Sequence, residues 1–221
     1  MHDKITVVDN FFSSPEKVVT LSKKLIYSSS PVFPGKRTIN LLDSGDPELI
    51  EFAKFFSKKL ADEVMYGIKN FYIDISFHKN DVYNDKLLNQ GWIHSDPVEI
   101  AGLVYLSSPL DFNAGTSMYS KKDNVTFESF DVDSRNNFNI SGQATTSYTE
   151  DLAKNHSYFE KTTQVGHVFN RLVAYDSSIW HAPNFYELND NSERLSLLFF
   201  INQYEYEKPK SLLTMSSTWR D

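Results

Sequence analysis

In Gly91-Trp92-Ile93-His94-Ser95-Asp96-Pro97, an imidazole and a carboxylate stand two residues apart. On an extended chain such a pair leaves the same face, so His94 and Asp96 can serve as adjacent ligands of a divalent metal. A third ligand must come from elsewhere. His181, in Ser178-Ile179-Trp180-His181-Ala182-Pro183, is the best supplier. Two histidines and one carboxylate form a facial triad, which leaves one side of Fe(II) open for a cosubstrate and oxygen. His-x-Asp alone is a common chance pattern, and its weight comes from the residues downstream of the second histidine. Arg194 and Ser196 share one strand face within Arg194-Leu195-Ser196-Leu197-Leu198-Phe199-Phe200. A guanidinium fork beside a hydroxyl suits bidentate capture of a carboxylate, and the flanking Leu and Phe would keep the clamp dry.

His-x-Asp, a distal His and then Arg-x-Ser, in that order, resembles the Fe(II)/2-oxoglutarate oxygenases. The local sequences are most similar to the prolyl-4-hydroxylase-like branch, with its poorly characterised bacterial and viral members. Leu103-Val104-Tyr105-Leu106-Ser107 resembles that branch's Tyr-Leu-Asn strand, and Gly115-Thr116-Ser117-Met118-Tyr119 resembles its Gly-Gly-Thr/Glu strand. Asn170-Arg171-Leu172-Val173-Ala174-Tyr175-Asp176 resembles the strand before the distal His.

The resemblance implies Fe(II) on His94, Asp96 and His181, with 2-oxoglutarate and O₂ as cosubstrates. It places the far carboxylate of 2-oxoglutarate on Arg194 and Ser196, with Tyr105 donating its hydroxyl and Tyr83 lining the pocket. Oxidative decarboxylation to succinate and CO₂ would drive hydroxylation of an aliphatic C–H. Related halogenases lack the carboxylate ligand, so Asp96 points to hydroxylation. Collagen-type prolyl hydroxylases carry Lys where this chain has Arg194, so substrate identity does not transfer. A prolyl or other peptide residue and a small amino-acid-like metabolite both stay open. So do two other readings: an iron dioxygenase independent of 2-oxoglutarate, and a non-catalytic β-barrel with a relic site.

The elements that must position these residues are read from periodicity. Residues 5–8 read as a strand. Ser13, Ser14, Pro15 and Glu16 open a helix to about Lys24. Residues 28–40, with Pro31, Pro34 and Gly35, read as a loop. Leu49, Phe52, Phe55, Phe56, Leu60 and Val64 recur at helical spacing over residues 46–66. Phe71, Ile73, Ile75 and Phe77 alternate as in a strand half-buried on a core. Further strands are predicted at 92–95, 101–106, 116–119, 171–175 and 194–202. Helices followed by many short strands imply a mainly β fold, a double-stranded β-helix (jelly roll) buttressed by N-terminal helices. A single domain over 1–221 is expected: supporting elements at 1–69, a core at 70–205 and a tail at 206–221. Residues 121–164 are polar and weakly patterned, and read as an insertion and candidate substrate lid.

Composition sets the remaining bounds. An apolar share of 40% with 17 Phe and 12 Tyr supports a sizeable core. The net charge of −7, from 22 basic and 29 acidic side chains, argues against nucleic acid as a partner and with it nucleobase demethylation. With no cysteine, thiolate metal sites and Cys nucleophiles are excluded, and a cytoplasmic setting is expected. No signal peptide pattern opens the chain, and no apolar run is long enough to span a bilayer. Sequons at Asn124, Asn139 and Asn155 read as coincidence, and His2, His78, His156 and His167 read as ordinary surface or loop histidines. Oligomeric state is not legible.

Overall fold

The computed structural model describes residues 5–65, 68–83, 85–107, 114–184 and 194–206. The predicted tail from 207 on, Glu193 and His2 lie outside the described residues.

The chain opens with β1 (Ile5–Val8) and α1 (Pro15–Ser22), then a hairpin of β2 (Ser28–Ser30) and β3 (Phe33–Arg37), and α2 (Pro47–Glu63). The long strand β4 (Ile68–Asn80) leads to β5 (Ile100–Tyr105) and β6 (Gly115–Lys121). Two helices follow, α3 (Val132–Ser141) and α4 (Thr146–Ser157), before β7 (Phe159–Gly166), β8 (Leu172–Asp176), β9 (Trp180–Pro183) and β10 (Arg194–Tyr206). Pairing is antiparallel throughout. One sheet runs β1-β8-β5-β10-β4-β3-β2 and the other β7-β6-β9. From β5 onward the chain crosses repeatedly between the sheets, with β5, β8 and β10 in the large one and β6, β7 and β9 in the small one, consistent with the predicted double-stranded β-helix (jelly roll).

Period-two alternation divides the large sheet into two chemically different faces. Leu197, Phe199 and Ile201 of β10 pack with Ile73, Ile75 and Phe77 of β4 and with Phe56 and Leu60 of α2. Leu198 turns the other way and packs with Leu103, Tyr105, Val173 and Tyr175, against Met118 and Val165 of the small sheet. Arg194 and Ser196 share the parity of Leu198 and so leave the face turned away from the helices. Helix α2 begins where Asp46 accepts from the amides of Glu48 and Leu49 at 2.8 and 3.4 Å, with Pro47 in the first turn. At α1 the predicted hydroxyl cap is not made; Ser14 occupies the cap position without a side-chain hydrogen bond.

Three expectations are corrected. Residues 28–40 are not loop throughout but contain the β2–β3 hairpin, and Gly35 within β3 adopts φ +77°. A Cβ at Gly35 would fall 2.2 Å from the Lys79 carbonyl oxygen of β4, so the glycine reflects close approach to β4 as well as a left-handed backbone within the strand. The segment around Trp92 joins no named strand and makes a single bridge, His94 with His181. Residues 121–164 hold two capped helices and most of β7. The sequons at Asn139 and Asn155 are buried structural positions. Among the described residues no helix is long and apolar enough to cross a membrane.

Gly102 faces Phe199 across the β5–β10 ladder. An added Cβ would lie 2.3 Å from the Phe199 ring and 2.4 Å from the Val173 carbonyl oxygen. The backbone contact cannot be relieved by a rotamer change. Gly102→Ala is therefore expected to destabilise by roughly 1–3 kcal/mol, the usual cost of overpacking, read as a lowered urea midpoint at unchanged slope.

Candidate metal and cosubstrate site

The two histidines are brought together by backbone pairing. The His94 amide donates to the His181 carbonyl at 3.0 Å, and the His181 amide returns the bond at 2.8 Å. On its outer edge His181 continues into the small sheet, opposite Met118 of β6. Asp96 follows two residues on and is held by its amide, which donates to the Ser177 carbonyl at 3.0 Å. The side chains converge as their spacing predicts. His94 Nε2 lies 3.6 Å from Asp96 Oδ1, and His181 Nε2 lies 3.3 Å from Asp96 Oδ2. One ligand atom from each of the three residues fits within 4.8 Å of the others.

The tautomers follow from the partners. His94 Nδ1 lies 2.8 Å from the Trp92 carbonyl, and His181 Nδ1 lies 2.8 Å from the Ile179 carbonyl. A carbonyl only accepts, so Nδ1 carries the proton in both rings and each Nε2 presents a lone pair. Both lone pairs face the Asp96 carboxylate, an arrangement that repels itself unless a cation sits among the three. A proton does not fill that role at His94 near neutral pH. Although 38% of its side chain is accessible, that access is from the cavity rather than bulk water, and burial, followed by the neighbouring His181, pushes His94 down to about 4. Burial acts to raise the Asp96 carboxyl, but its contacts with His181 and His94 outweigh this and hold it below the usual carboxylate value. Two imidazoles whose Nδ1–H groups are committed to carbonyls and a carboxylate, on one side of a shared point, fit a divalent iron-type ion.

The triad opens into a cavity of about 380 Å³ whose lining includes Arg194, Ser196, Leu198 and Phe200 of β10. Arg194 is 3% exposed. Its Nη1 and Nη2 both reach the Gly115 carbonyl at 3.4 Å, and its guanidinium carbon lies 5.1 Å from the centre of the Tyr105 ring. Tyr105 sits behind this clamp. Its hydroxyl shares a 2.8 Å hydrogen bond with Thr116, its ring stacks on His167 at 4.5 Å, and burial keeps the phenol protonated. Tyr83 is elsewhere: its ring packs on Phe138 of α3 at 5.2 Å, in a cluster with Trp92, Tyr148 and Leu152. The structure thus gathers His94, Asp96, His181, Arg194 and Ser196 around one cavity, with Tyr105 one layer back and Tyr83 outside it.

Sequence reasoning missed several residues here. His78 is no surface histidine; it is buried in the cavity wall beside Asn80, with Nε2 donating to the Pro34 carbonyl at 2.8 Å. The alternation of Phe71 through Phe77 would have found it, because it places His78 and Asn80 on the opposite face of β4. His167 is fully buried, and His156 bonds the Gly91 carbonyl at 2.9 Å. Arg37 enters the cavity from β3 and Arg135 from α3; neither stands in a pattern that marks it.

The outer edge of the His94 segment is held by the insertion. Asn155 of α4 accepts from the Ile93 amide at 2.8 Å and donates to the Ile93 carbonyl at 3.1 Å. One amide side chain replaces a neighbouring strand. The indole of Trp92 donates to the Tyr148 hydroxyl at 3.2 Å from the same helix.

In comparisons with solved structures, the fold is similar to that of several α-ketoglutarate-dependent enzymes at 14% identity or less. The chain is similar to the epimerase SnoN of nogalamycin biosynthesis, in complex with Fe³⁺, α-ketoglutarate and nogalamycin RO: TM-score 0.53, 10% identity, 99% of this chain and 88% of that one covered. It is also similar to HygX from Streptomyces hygroscopicus with nickel, 2-oxoglutarate and hygromycin B bound: TM-score 0.52, 14% identity, 90% and 83% covered. The α-ketoglutarate-dependent carbocyclase SnoK gives TM-score 0.51 at 9% identity, with 97% and 86% covered. No curated protein matches the sequence. The chain belongs to the family of unknown function DUF6445, whose model matches residues 1–200.

Two outcomes are expected. Asn155→Ala leaves the buried Ile93 amide and carbonyl unpaired, which costs roughly 2–4 kcal/mol and weakens metal binding about tenfold or more. Chemical denaturation and a metal titration check it. Burial also depresses His78 well below its ordinary value, and His156 more modestly. At pH above 6.5 these imidazoles are neutral in both folded and unfolded chains. Below it the unfolded chain binds protons that the folded chain refuses, so stability falls with pH, by at most about 1.4 kcal/mol per pH unit for each group. Urea midpoints of the metal-free protein should drop between pH 7.5 and 5.5, less steeply in His78→Asn.

Proposed function

We propose that this chain is an Fe(II)- and 2-oxoglutarate-dependent oxygenase that hydroxylates an aliphatic C–H of a small-molecule or peptidyl substrate. The observation that carries the reading is the convergence of two Nε2 lone pairs on Asp96, with both Nδ1–H groups committed to backbone carbonyls, at the wall of a cavity that also holds Arg194.

Iron with 2-oxoglutarate supplies the oxidising power when bound: the keto acid and O₂ become succinate and CO₂, and the second oxygen atom enters the substrate's C–H bond. The protein supplies position and dryness. His94, Asp96 and His181 hold the metal from one side. Arg194 and Ser196 take the far carboxylate of 2-oxoglutarate, where burial makes a charge-assisted bond strong. Tyr105 supports the clamp from behind through Thr116 and the face of its ring. Leu103, Leu198 and Phe200 exclude water around it. Among solved relatives of the same fold, HygX and SnoN hold hygromycin B and nogalamycin RO, which supports a small molecule over a peptide. The Tyr-Leu and Gly-Thr strands support a position in the prolyl-4-hydroxylase-like branch.

An anaerobic titration with Fe(II) and then 2-oxoglutarate tests this through the visible metal-to-ligand charge-transfer band. The band should require both additions and vanish in Asp96→Ala. Arg194→Ala should need roughly 10- to 100-fold more 2-oxoglutarate, the worth of a charged buried hydrogen bond. Iron binding with no band would mean a dioxygenase independent of 2-oxoglutarate, and no iron binding a barrel with a relic site.

A further inference from the structure

Among the described residues that line the cavity, guanidinium groups outnumber carboxylates. Arg37, Arg135 and Arg194 line it, and among the described lining residues the only carboxylate is Asp96, already assigned to the metal. The charges of Fe(II) and the 2-oxoglutarate dianion cancel, so the guanidinium excess persists in the loaded site. Arg194 is accounted for by the cosubstrate. Arg135 is not.

Arg135 stands in the first half of α3 and is half-buried. Its guanidinium carbon lies 4.9 Å from the centre of the Trp92 ring, two residues before the His94 ligand. Among the described residues no acidic side chain pairs with it. The helix that carries it is fixed. Asp131 caps it through the Ser134 amide at 3.0 Å, Gly142 closes it in the left-handed conformation, and Asn139 donates to the Pro31 carbonyl at 2.7 Å. That last bond ties α3 to the hairpin carrying Arg37, which stacks on Phe33 at 4.0 Å and reaches over Phe200 at 5.6 Å. Burial disfavours the charge on Arg135; a cation held on an aromatic face within a partly dry cavity is the arrangement that binds an oxyanion bidentately.

We infer that the primary substrate carries an oxyanion, a carboxylate or a phosphate, and that Arg135, assisted by Arg37, seats it at the mouth of the cavity on the Trp92 side. This rests on reading the cavity as an oxygenase site and adds the substrate's chemical class. The C–H to be hydroxylated then lies on the part of the molecule that reaches from Arg135 towards the triad. The insertion selects substrate through this residue.

The test is a tryptophan-fluorescence titration of the anaerobic protein loaded with Fe(II) and 2-oxoglutarate, using sodium phosphate, sodium acetate and uncharged acetamide at constant ionic strength. A saturable change with phosphate or acetate and none with acetamide is expected, and which anion saturates tells the class. Arg135→Met should weaken it at least tenfold, and Arg135→Lys should retain part of it. No saturable response to either anion, or an Arg135→Met affinity within twofold of wild type, would overturn the inference. The charge-transfer band recorded on the same samples separates the two failures. A band with a flat anion titration sinks the anion seat alone, whereas a missing band sinks the oxygenase reading.

Discussion

The site depends on one reciprocal pair of backbone hydrogen bonds, between His94 and His181. Everything else in the site is measured from it. The pair fixes two chain segments from distant parts of the sequence at a single bridge spacing, and the imidazoles leave the same side of it with centres 4.5 Å apart. Each ring is then locked by the same device, an Nδ1–H bond to the carbonyl two residues earlier, Trp92 for one and Ile179 for the other. On extended chain, residues i and i−2 share a face, so the local backbone itself supplies the second layer that metal-binding histidines require. Asp96 inherits its place from the same geometry, two residues past His94.

That economy leaves an exposed debt on the far edge of the His94 segment, where no strand lies. Ile93 has an amide and a carbonyl facing away from His181, both buried, and unpaired groups there would cost more than the metal site could tolerate. Asn155 answers both with one side chain, and the Trp92 indole and Gly91 carbonyl find Tyr148 and His156 on the same helix. Helix α4 is therefore part of the site's scaffold, and α3 brings Arg135 to its mouth. The segment read as a candidate lid contributes Arg135 to the described cavity lining and holds the His94 segment through α4.

Legibility in the sequence follows from the strength of each periodic signal. Strands β4 and β10 were readable because alternation puts their apolar residues on the face packed against the helices, and β5 and β8 because they are short apolar runs buried on both faces. The His94–Asp96 and Arg194–Ser196 pairs were readable because residues two apart on extended chain share a face, and because their order around His181 narrows an otherwise common spacing. The β2–β3 hairpin was hidden by Pro34 and Gly35, which read as loop residues although they lie within β3. Strand β7 was hidden because only Phe159 and Val165 of its eight residues are buried apolar side chains. Helix α3 buries Ser134, Phe138 and Asn139, so its inner face is mostly polar and leaves no hydrophobic stripe. Helix α4 did carry one, at Tyr148, Leu152 and Asn155, but its third member works by hydrogen bonding, which a hydropathy pattern cannot register. His78 was legible in principle: the parity of β4 that sends Phe77 to the helices sends His78 to the cavity.

The same contrast bears on what net charge can say. A total of −7 sums every charged side chain of the sequence, and those at the surface act through water and are screened within about 10 Å at moderate salt. It disfavours long polyanions, which must lie along the surface and meet many charges at once. It says little about a half-enclosed cavity lined by three guanidiniums, where low polarisability strengthens each interaction and a small ligand meets only the groups that line the wall. If the inferred anion seat is correct, selection for a compact anion resides in Arg37 and Arg135, outside the His94-Asp96, His181 and Arg194-Ser196 motifs.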